Sequence, residues 1–78
     1  MAAIKAYILI TAEPEHTNAL RTKLKKLKGA KEVHEVMGPY DIVLELRAKD
    51  LAQVTDMLRK SIRPLQGVRN TVTCVAMN

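Results

Sequence analysis

The chain is 78 residues long, 47% hydrophobic and carries a net charge of +5, which fits one small globular domain. Its single cysteine, Cys74, excludes an internal disulfide, and His16 and His34 have no ligand-type neighbours at metal spacing, so we expect no metal site. No stretch approaches the roughly 20 apolar residues that cross a bilayer, and the first residues do not resemble a secretory leader, which predicts a cytoplasmic protein. Of the usual stabilisers of small domains, only oligomerisation remains.

The first third of the chain predicts a strand followed by a helix. "IKAYILITA", from Ile4 to Ala12, is apolar on both alternating sets of positions, which is typical of a central strand covered on both faces. Pro14 suits the first turn of a helix, and Gly29 suits the position just after its end. Between them an apolar stripe at helical spacing lies opposite a run of lysines and comprises Ala19, Leu20, Leu24 and Leu27.

The middle of the chain predicts two strands joined by a tight turn. "KEVHEVM", residues 31–37, has a broken alternation and indicates a second strand, after which Gly38-Pro39 turns the chain. "DIVLELRA" then alternates cleanly. One face of this third strand is formed by Ile42, Leu44, Leu46 and Ala48, and the other by Val43, Glu45 and Arg47.

The last third predicts a second helix and a fourth strand. Asp50 is a good N-cap, and Gln53 three residues later completes a variant of the capping box. Pro64 and Gly67 end the helix, and the Val- and Thr-rich stretch "VRNTVTCVAMN" follows as a strand. The apolar stripe of this helix comprises Leu51, Val54, Leu58, Ile62 and Leu65.

This order predicts an α+β, ferredoxin-like βαββαβ fold, with a four-stranded antiparallel sheet and two helices on one face. The other sheet face is then bare, although the first strand and the end of the fourth are apolar on both sets of positions. Burying about 500 Å² of apolar surface there contributes on the order of 12 kcal/mol before association costs. We therefore predict an obligate dimer or larger assembly in which sheet faces pack together.

The residues give no sign of catalysis. Cys74 lies among apolar and small residues and is expected to be a buried small hydrophobe, and His34 is expected to be a surface histidine paired with a neighbouring glutamate. No glycine-rich phosphate loop is present. The stretch from residue 21 to residue 31 is rich in lysine, which favours a solvated helix face over a nucleic-acid footprint, the reading that we rank last.

Three motifs carry a family resemblance. They are the Gly-x-Tyr-Asp turn in "VMGPYDIVLEL", the helix "KDLAQVTDMLRKSIRPLQGV" with its terminal Gly-Val, and the Thr-x-Thr strand in "NTVTCVAMN". In this order and at these separations they resemble the ligand-binding, or RAM (regulation of amino acid metabolism), domain of the Lrp/AsnC feast/famine transcriptional regulators. The resemblance covers nearly the whole chain, from about residue 4 to residue 78.

The resemblance implies a dimeric α+β barrel-type assembly whose dimers associate further, into an octamer or decamer, with an amino acid effector held between dimers and no cofactor. Asp41 is then the natural partner for the effector's α-ammonium group. An ordinary hairpin, with Asp41 bonded to local backbone, remains open as the alternative. The effector site implied by the family comprises Gly38, Tyr40, Asp41, Thr71, Thr73, Cys74 and Val75.

Full-length regulators of this family carry a helix-turn-helix domain, and this chain begins at the first predicted strand. We therefore expect a single RAM-like domain over residues 1–78, with no direct DNA binding. The leading hypothesis is a non-enzymatic amino-acid-binding and oligomerisation module that acts in transcriptional regulation of amino acid metabolism. The alternatives are a pure interaction protein that co-assembles with full-length Lrp/AsnC regulators, or a small dimeric α+β barrel enzyme.

Overall fold

The structure is a computed structural model that describes residues 3–77. Its strands are β1 (Ile4–Ala12), β2 (Ala30–Glu35), β3 (Ile42–Ala48) and β4 (Val68–Val75). Helix α1 (Thr17–Lys25) follows a 3-10 turn (Pro14–His16), and helix α2 (Leu51–Met57) continues into a π-helical turn (Leu58–Ile62). The predicted order of strands and helices is confirmed.

The four strands form one antiparallel sheet in the order β2-β3-β1-β4. Strand β1 lies in the centre, where Ile8 pairs with Leu44 of β3 on one side and with Thr73 of β4 on the other. Strands β2 and β4 are therefore the edges of the sheet. This topology confirms the predicted ferredoxin-like α+β fold.

One face of the two central strands forms the core together with the helices. Directly opposed residues of antiparallel strands point to the same side of the sheet, so the paired register places these side chains on one face. They are fully or almost fully buried, as the alternation predicted. The core comprises Ala6, Ile8, Ile10, Ala12, Ile42, Leu44, Leu46 and Ala48 from the sheet, with Leu20, Leu24, Val54 and Ile62 from the helical segments.

Helix α1 is shorter than predicted: Pro14 lies in the preceding 3-10 turn, and Leu27, assigned to the helical stripe, lies beyond the last helical residue, Lys25. Its first residue, Thr17, is buried and donates its hydroxyl hydrogen bond to the carbonyl of Pro14 at 3.1 Å. Ala19 is exposed, so its assignment to the apolar stripe is wrong. The reason is that Ala19 lies about 100° around the helix from Leu20, beyond the edge of the buried face.

Helix α2 has the predicted cap. The Gln53 N–H donates to Asp50 Oδ1 at 2.9 Å, as in a capping box. Gln53 Oε1 accepts from the N–H of Lys49, one residue before the cap, at 2.7 Å. Leu51, however, is 55% exposed, and its assignment to the stripe is wrong. It stands in the first turn, at the margin of the face that buries Val54.

Gly67, in the loop after the π-helical turn, packs closely against His16. Its φ is +96°, its carbonyl accepts from the Glu13 N–H at 2.9 Å, and an added Cβ would lie 2.4 Å from the Cβ of His16. We expect Gly67→Ala to lower the free energy of unfolding by roughly 3 kcal/mol or more, since backbone strain adds to overpacking. Urea denaturation measures this loss.

Gly38→Ala is the matched control, because Gly38 has a φ of +144° but nothing within 4 Å of an added Cβ. Only the backbone cost applies there, on the order of 1–2 kcal/mol. Equal losses for the two variants would contradict the contact between Gly67 and His16.

Candidate functional site

The turn between β2 and β3 is fixed at its base and open at its tip. The Asp41 N–H donates to the Ile10 carbonyl at 2.9 Å, and the Val36 N–H donates to the Asp41 carbonyl at 2.8 Å. Gly38 is exposed and Met37 is 100% exposed. The turn therefore presents its tip to solvent from a firmly held base.

The carboxylate of Asp41 caps the end of β1. Its Oδ2 accepts from the Ala12 N–H at 2.7 Å, in a partly buried position. Pairing between β1 and β3 runs only as far as Ile10 and Ile42, and the register between β1 and β4 shifts at Ala12. The carboxylate thus accepts a hydrogen bond from a backbone N–H at the point where the regular pairing of β1 ends. The contact joins residues 29 positions apart, so Asp41 does not form the local cap that was the alternative from sequence.

The predicted effector residues of β4 lie at different distances from this turn. Thr71 pairs with Ile10, the residue whose carbonyl accepts from Asp41, so Asp41 and Thr71 flank the same stretch of β1. Thr73 and Val75 lie on the same side of β4, roughly 7 and 14 Å further along it. Of the four predicted effector residues in β4, Thr71 therefore lies closest to the turn of the same chain.

Cys74 lies on the other face of β4, where it pairs with Tyr7 of β1. It is exposed, so the expectation of a buried thiol is wrong for the isolated chain. The reason is its place on an edge strand and on the sheet face that the helices do not cover. Tyr40, half-buried, precedes Asp41 at the base of the turn.

The sheet face opposite the helices is apolar at its centre, and we call it the open face. Leu9 lies between Val43 of β3 and Val72 of β4, and Val72 is 37% exposed. Polar and charged side chains of the same strands lie around this centre. The open face comprises Lys5, Tyr7, Leu9, Thr11, Val43, Glu45, Arg47, Asn70, Val72 and Cys74.

The two histidines of the chain, His16 and His34, both lie beside glutamate side chains. His34 Nε2 lies 2.7 Å from Glu32 Oε1, which confirms the predicted surface pair. His16 does have ligand-type neighbours, contrary to the sequence prediction: ligand atoms of Glu13, Glu15 and His16 lie within 4.8 Å of one another. The 3-10 turn brings these close neighbours in sequence together, and spacing alone did not reveal it.

Two surface depressions lie away from the turn. One, of about 530 Å³, is at the start of α2, and the other, of about 260 Å³, is between α1 and β2. Neither is lined by a predicted effector residue. Over residues 3–77, none of the helices has the length and apolar character that a membrane crossing requires.

The sequence matches the family described as the Lrp/AsnC ligand binding domain over residues 5–78. The chain belongs to this family. The predicted resemblance is therefore confirmed, and the fold described above is that of a RAM domain.

Solved structures agree with this assignment. The protein TTHA0845 from Thermus thermophilus superposes with a TM-score of 0.92 at 35% sequence identity, covering 96% of this chain and 94% of that one. The feast or famine regulatory protein Rv3291c from M. tuberculosis, solved in complex with L-methionine, has a TM-score of 0.81 at 24% identity and shares the RAM fold. The match covers 96% of this chain and 50% of that protein.

An enzyme is also among the relatives of this RAM domain. The homocitrate synthase of Saccharolobus solfataricus is 33% identical over 75 residues, which cover 95% of this chain. The chain spans only 16% of the length of that enzyme. The RAM domain family therefore includes stretches of proteins that are named as enzymes as well as regulators.

Proposed function

We propose that this RAM domain is a non-enzymatic amino-acid-binding and oligomerisation module that acts in transcriptional regulation of amino acid metabolism. Its dimers pack through the open face, and the effector is held between dimers, beside the turn that ends at Asp41. Family membership and the methionine complex of the M. tuberculosis regulator support the class of ligand. The placement of the turn and of the open face supports the arrangement.

The open face supports pairing through the sheet. Leu9 has apolar neighbours on both sides, Val43 and Val72, and helices cover only the opposite face of the sheet. An apolar patch of this kind on a small domain is stabilised when a second sheet covers it. The apolar centre also favours solid packing over a polar cavity between sheets, so it argues against the barrel enzyme.

The turn supports an effector site that needs more than one subunit. Thr73 and Val75 lie roughly 7 and 14 Å beyond Thr71 along β4, too far from Asp41 for one amino acid to touch all of them in a single chain. A neighbouring subunit can supply the remaining contacts. Asp41 keeps acceptor capacity for an ammonium group, since a carboxylate offers about four lone-pair sites and the Ala12 N–H uses one.

Thermal denaturation with each of the twenty amino acids tests the proposed ligand class. A ligand that binds only the folded assembly, at 100 times its Kd, is expected to stabilise it by about 2.7 kcal/mol, which is a shift of several degrees in Tm for a domain of this size. Sedimentation velocity with and without the same amino acid reports whether assembly changes. If no amino acid shifts Tm or assembly, the sensing part of the proposal is wrong.

The match to 50% of the M. tuberculosis regulator favours a second candidate, in which the module is an interaction protein that co-assembles with full-length Lrp/AsnC regulators. Native mass spectrometry of the chain mixed with a full-length Lrp/AsnC regulator distinguishes the two: mixed oligomers indicate co-assembly, and separate oligomers indicate a self-contained sensor.

A further inference from the structure

The positive charge of this protein is concentrated in one segment. Of its 13 lysines and arginines, six lie in residues 21–31, and the seven others are outnumbered by the eight carboxylates. No Asp or Glu occurs between residues 16 and 31. The net charge of +5 therefore comes from a single segment, whose cations we call the basic ridge. The basic ridge comprises Arg21, Lys23, Lys25, Lys26, Lys28 and Lys31.

The cations of the basic ridge form no ion pair within residues 3–77. All five of its lysines are exposed, and Arg21 is half-buried. Within residues 3–77, none of the six is within 4.0 Å of a carboxylate oxygen, whereas Arg59 and Lys60 both lie within that distance of Asp56. The ridge therefore presents its charge to a partner or to solvent.

The basic ridge begins on α1, which carries Arg21, Lys23 and Lys25, and continues past the end of the helix to Lys31 in β2. At 100° per residue, Arg21 and Lys25 fall on one side of the exposed face of α1 and Lys23 falls on the other, while Lys26, the cap residue after the helix, falls near the middle. Small exposed side chains lie between the two flanks: Asn18, Ala19 and Thr22. A helix of nine residues is about 13.5 Å long, and with side chains it is about 10–12 Å wide.

We propose that the basic ridge binds the phosphate backbone of duplex DNA without reading its sequence. The helix fits the B-DNA major groove, about 12 Å wide, and its two flanks then face the two phosphate strands. An RNA duplex is disfavoured because its major groove is narrow and deep. This proposal concerns a different surface from the open face and the turn, and it does not need a helix-turn-helix domain.

Other polyanions fit the ridge less well. Protein interfaces are depleted in lysine and rely on aromatic or apolar anchors, and the exposed face of α1 has none. Single strands are held by stacking on aromatic side chains. The two aromatic residues of the chain, Tyr7 and Tyr40, lie in β1 and at the turn before β3.

Fluorescence anisotropy with a labelled duplex DNA of about 24 base pairs and mixed sequence tests this proposal. Between 50 and 200 mM salt we expect log K to fall linearly with log salt, with a slope of roughly −3 or steeper per protomer. The triple variant K23Q/K25Q/K26Q is expected to bind at least about tenfold more weakly, with the slope reduced by about 3. All three lysines are exposed, and circular dichroism verifies that the variant is folded.

The matched control is R59Q/K60Q/R63Q, which removes the same charge from exposed positions near the end of the second helix. It is expected to stay within about threefold of the unchanged protein. The proposal is overturned if both triple variants lose the same affinity, if salt has no effect, or if polyglutamate, an RNA duplex or single-stranded DNA of equal charge binds more tightly than duplex DNA.

Discussion

Leu9→Glu is expected to dissociate the assembly and give monomers at concentrations where the unchanged protein is fully assembled. Leu9 lies at the centre of the open face, between Val43 and Val72 on the neighbouring strands. If two open faces pack together, the substitution buries an unpaired carboxylate in each copy. An uncompensated buried charge costs about 3–5 kcal/mol, so the dissociation constant is expected to rise by roughly a hundredfold or more.

Sedimentation equilibrium measures this dissociation, and Leu51→Glu is its matched control. Leu51 is a leucine of the same size, 55% exposed at the start of α2, on the side of the sheet away from the open face. The same substitution there is expected to leave assembly unchanged. If Leu9→Glu stays assembled, the open face is not the subunit interface, and pairing through the sheet is wrong.

The fold was predictable because the two central strands carry clear patterns. Strands β1 and β3 are long enough for alternation to assign each residue to a face, and every assignment made for β3 agrees with the structure. The cap formed by Asp50 and Gln53 was also predictable, because it is a local motif whose partners are three residues apart.

The helix stripes were less well predicted at their margins. Spacing defines an apolar sector of a helix, but the angle at which the helix rests on the sheet decides which edge of that sector is buried. Ala19 and Leu51 are at such edges, and both are exposed. The broken alternation of β2 has a cause of its own, a register shift between Ala30 and Glu32.

The surroundings of the candidate site depend on the strand order. The exposure of Cys74 follows from the position of β4 at the edge of the sheet. The Asp41–Ala12 contact forms because β1 continues to Ala12, beyond its last residue paired with β3. The hydrophobic periodicity of a single segment predicts neither the exposure of Cys74 nor the contact of Asp41. The motif around Gly38 and Asp41 thus identified the turn, and only the structure revealed what Asp41 contacts.

Asp41→Ala is expected to lower the free energy of unfolding by about 1–3 kcal/mol, because it leaves the partly buried Ala12 N–H without its carboxylate acceptor. The same substitution is expected to abolish stabilisation by an amino acid, so it cannot by itself separate the two roles of Asp41. Asp41→Asn can, because the amide oxygen of asparagine can still accept from the Ala12 N–H while the negative charge is lost.

Urea denaturation and thermal shifts with an amino acid, applied to both variants, therefore decide the role of Asp41. If Asp41 holds the α-ammonium group of the effector, Asp41→Asn is expected to keep most of the stability and to lose the ligand-induced shift, since a charge-assisted hydrogen bond is roughly twice as strong as a neutral one. If Asp41→Asn keeps the full shift and only Asp41→Ala loses it, the carboxylate acts by capping β1 and holding the turn in place. In that case the effector's ammonium group must be held by other acceptors, and Asp41 is removed from the ligand-contacting residues.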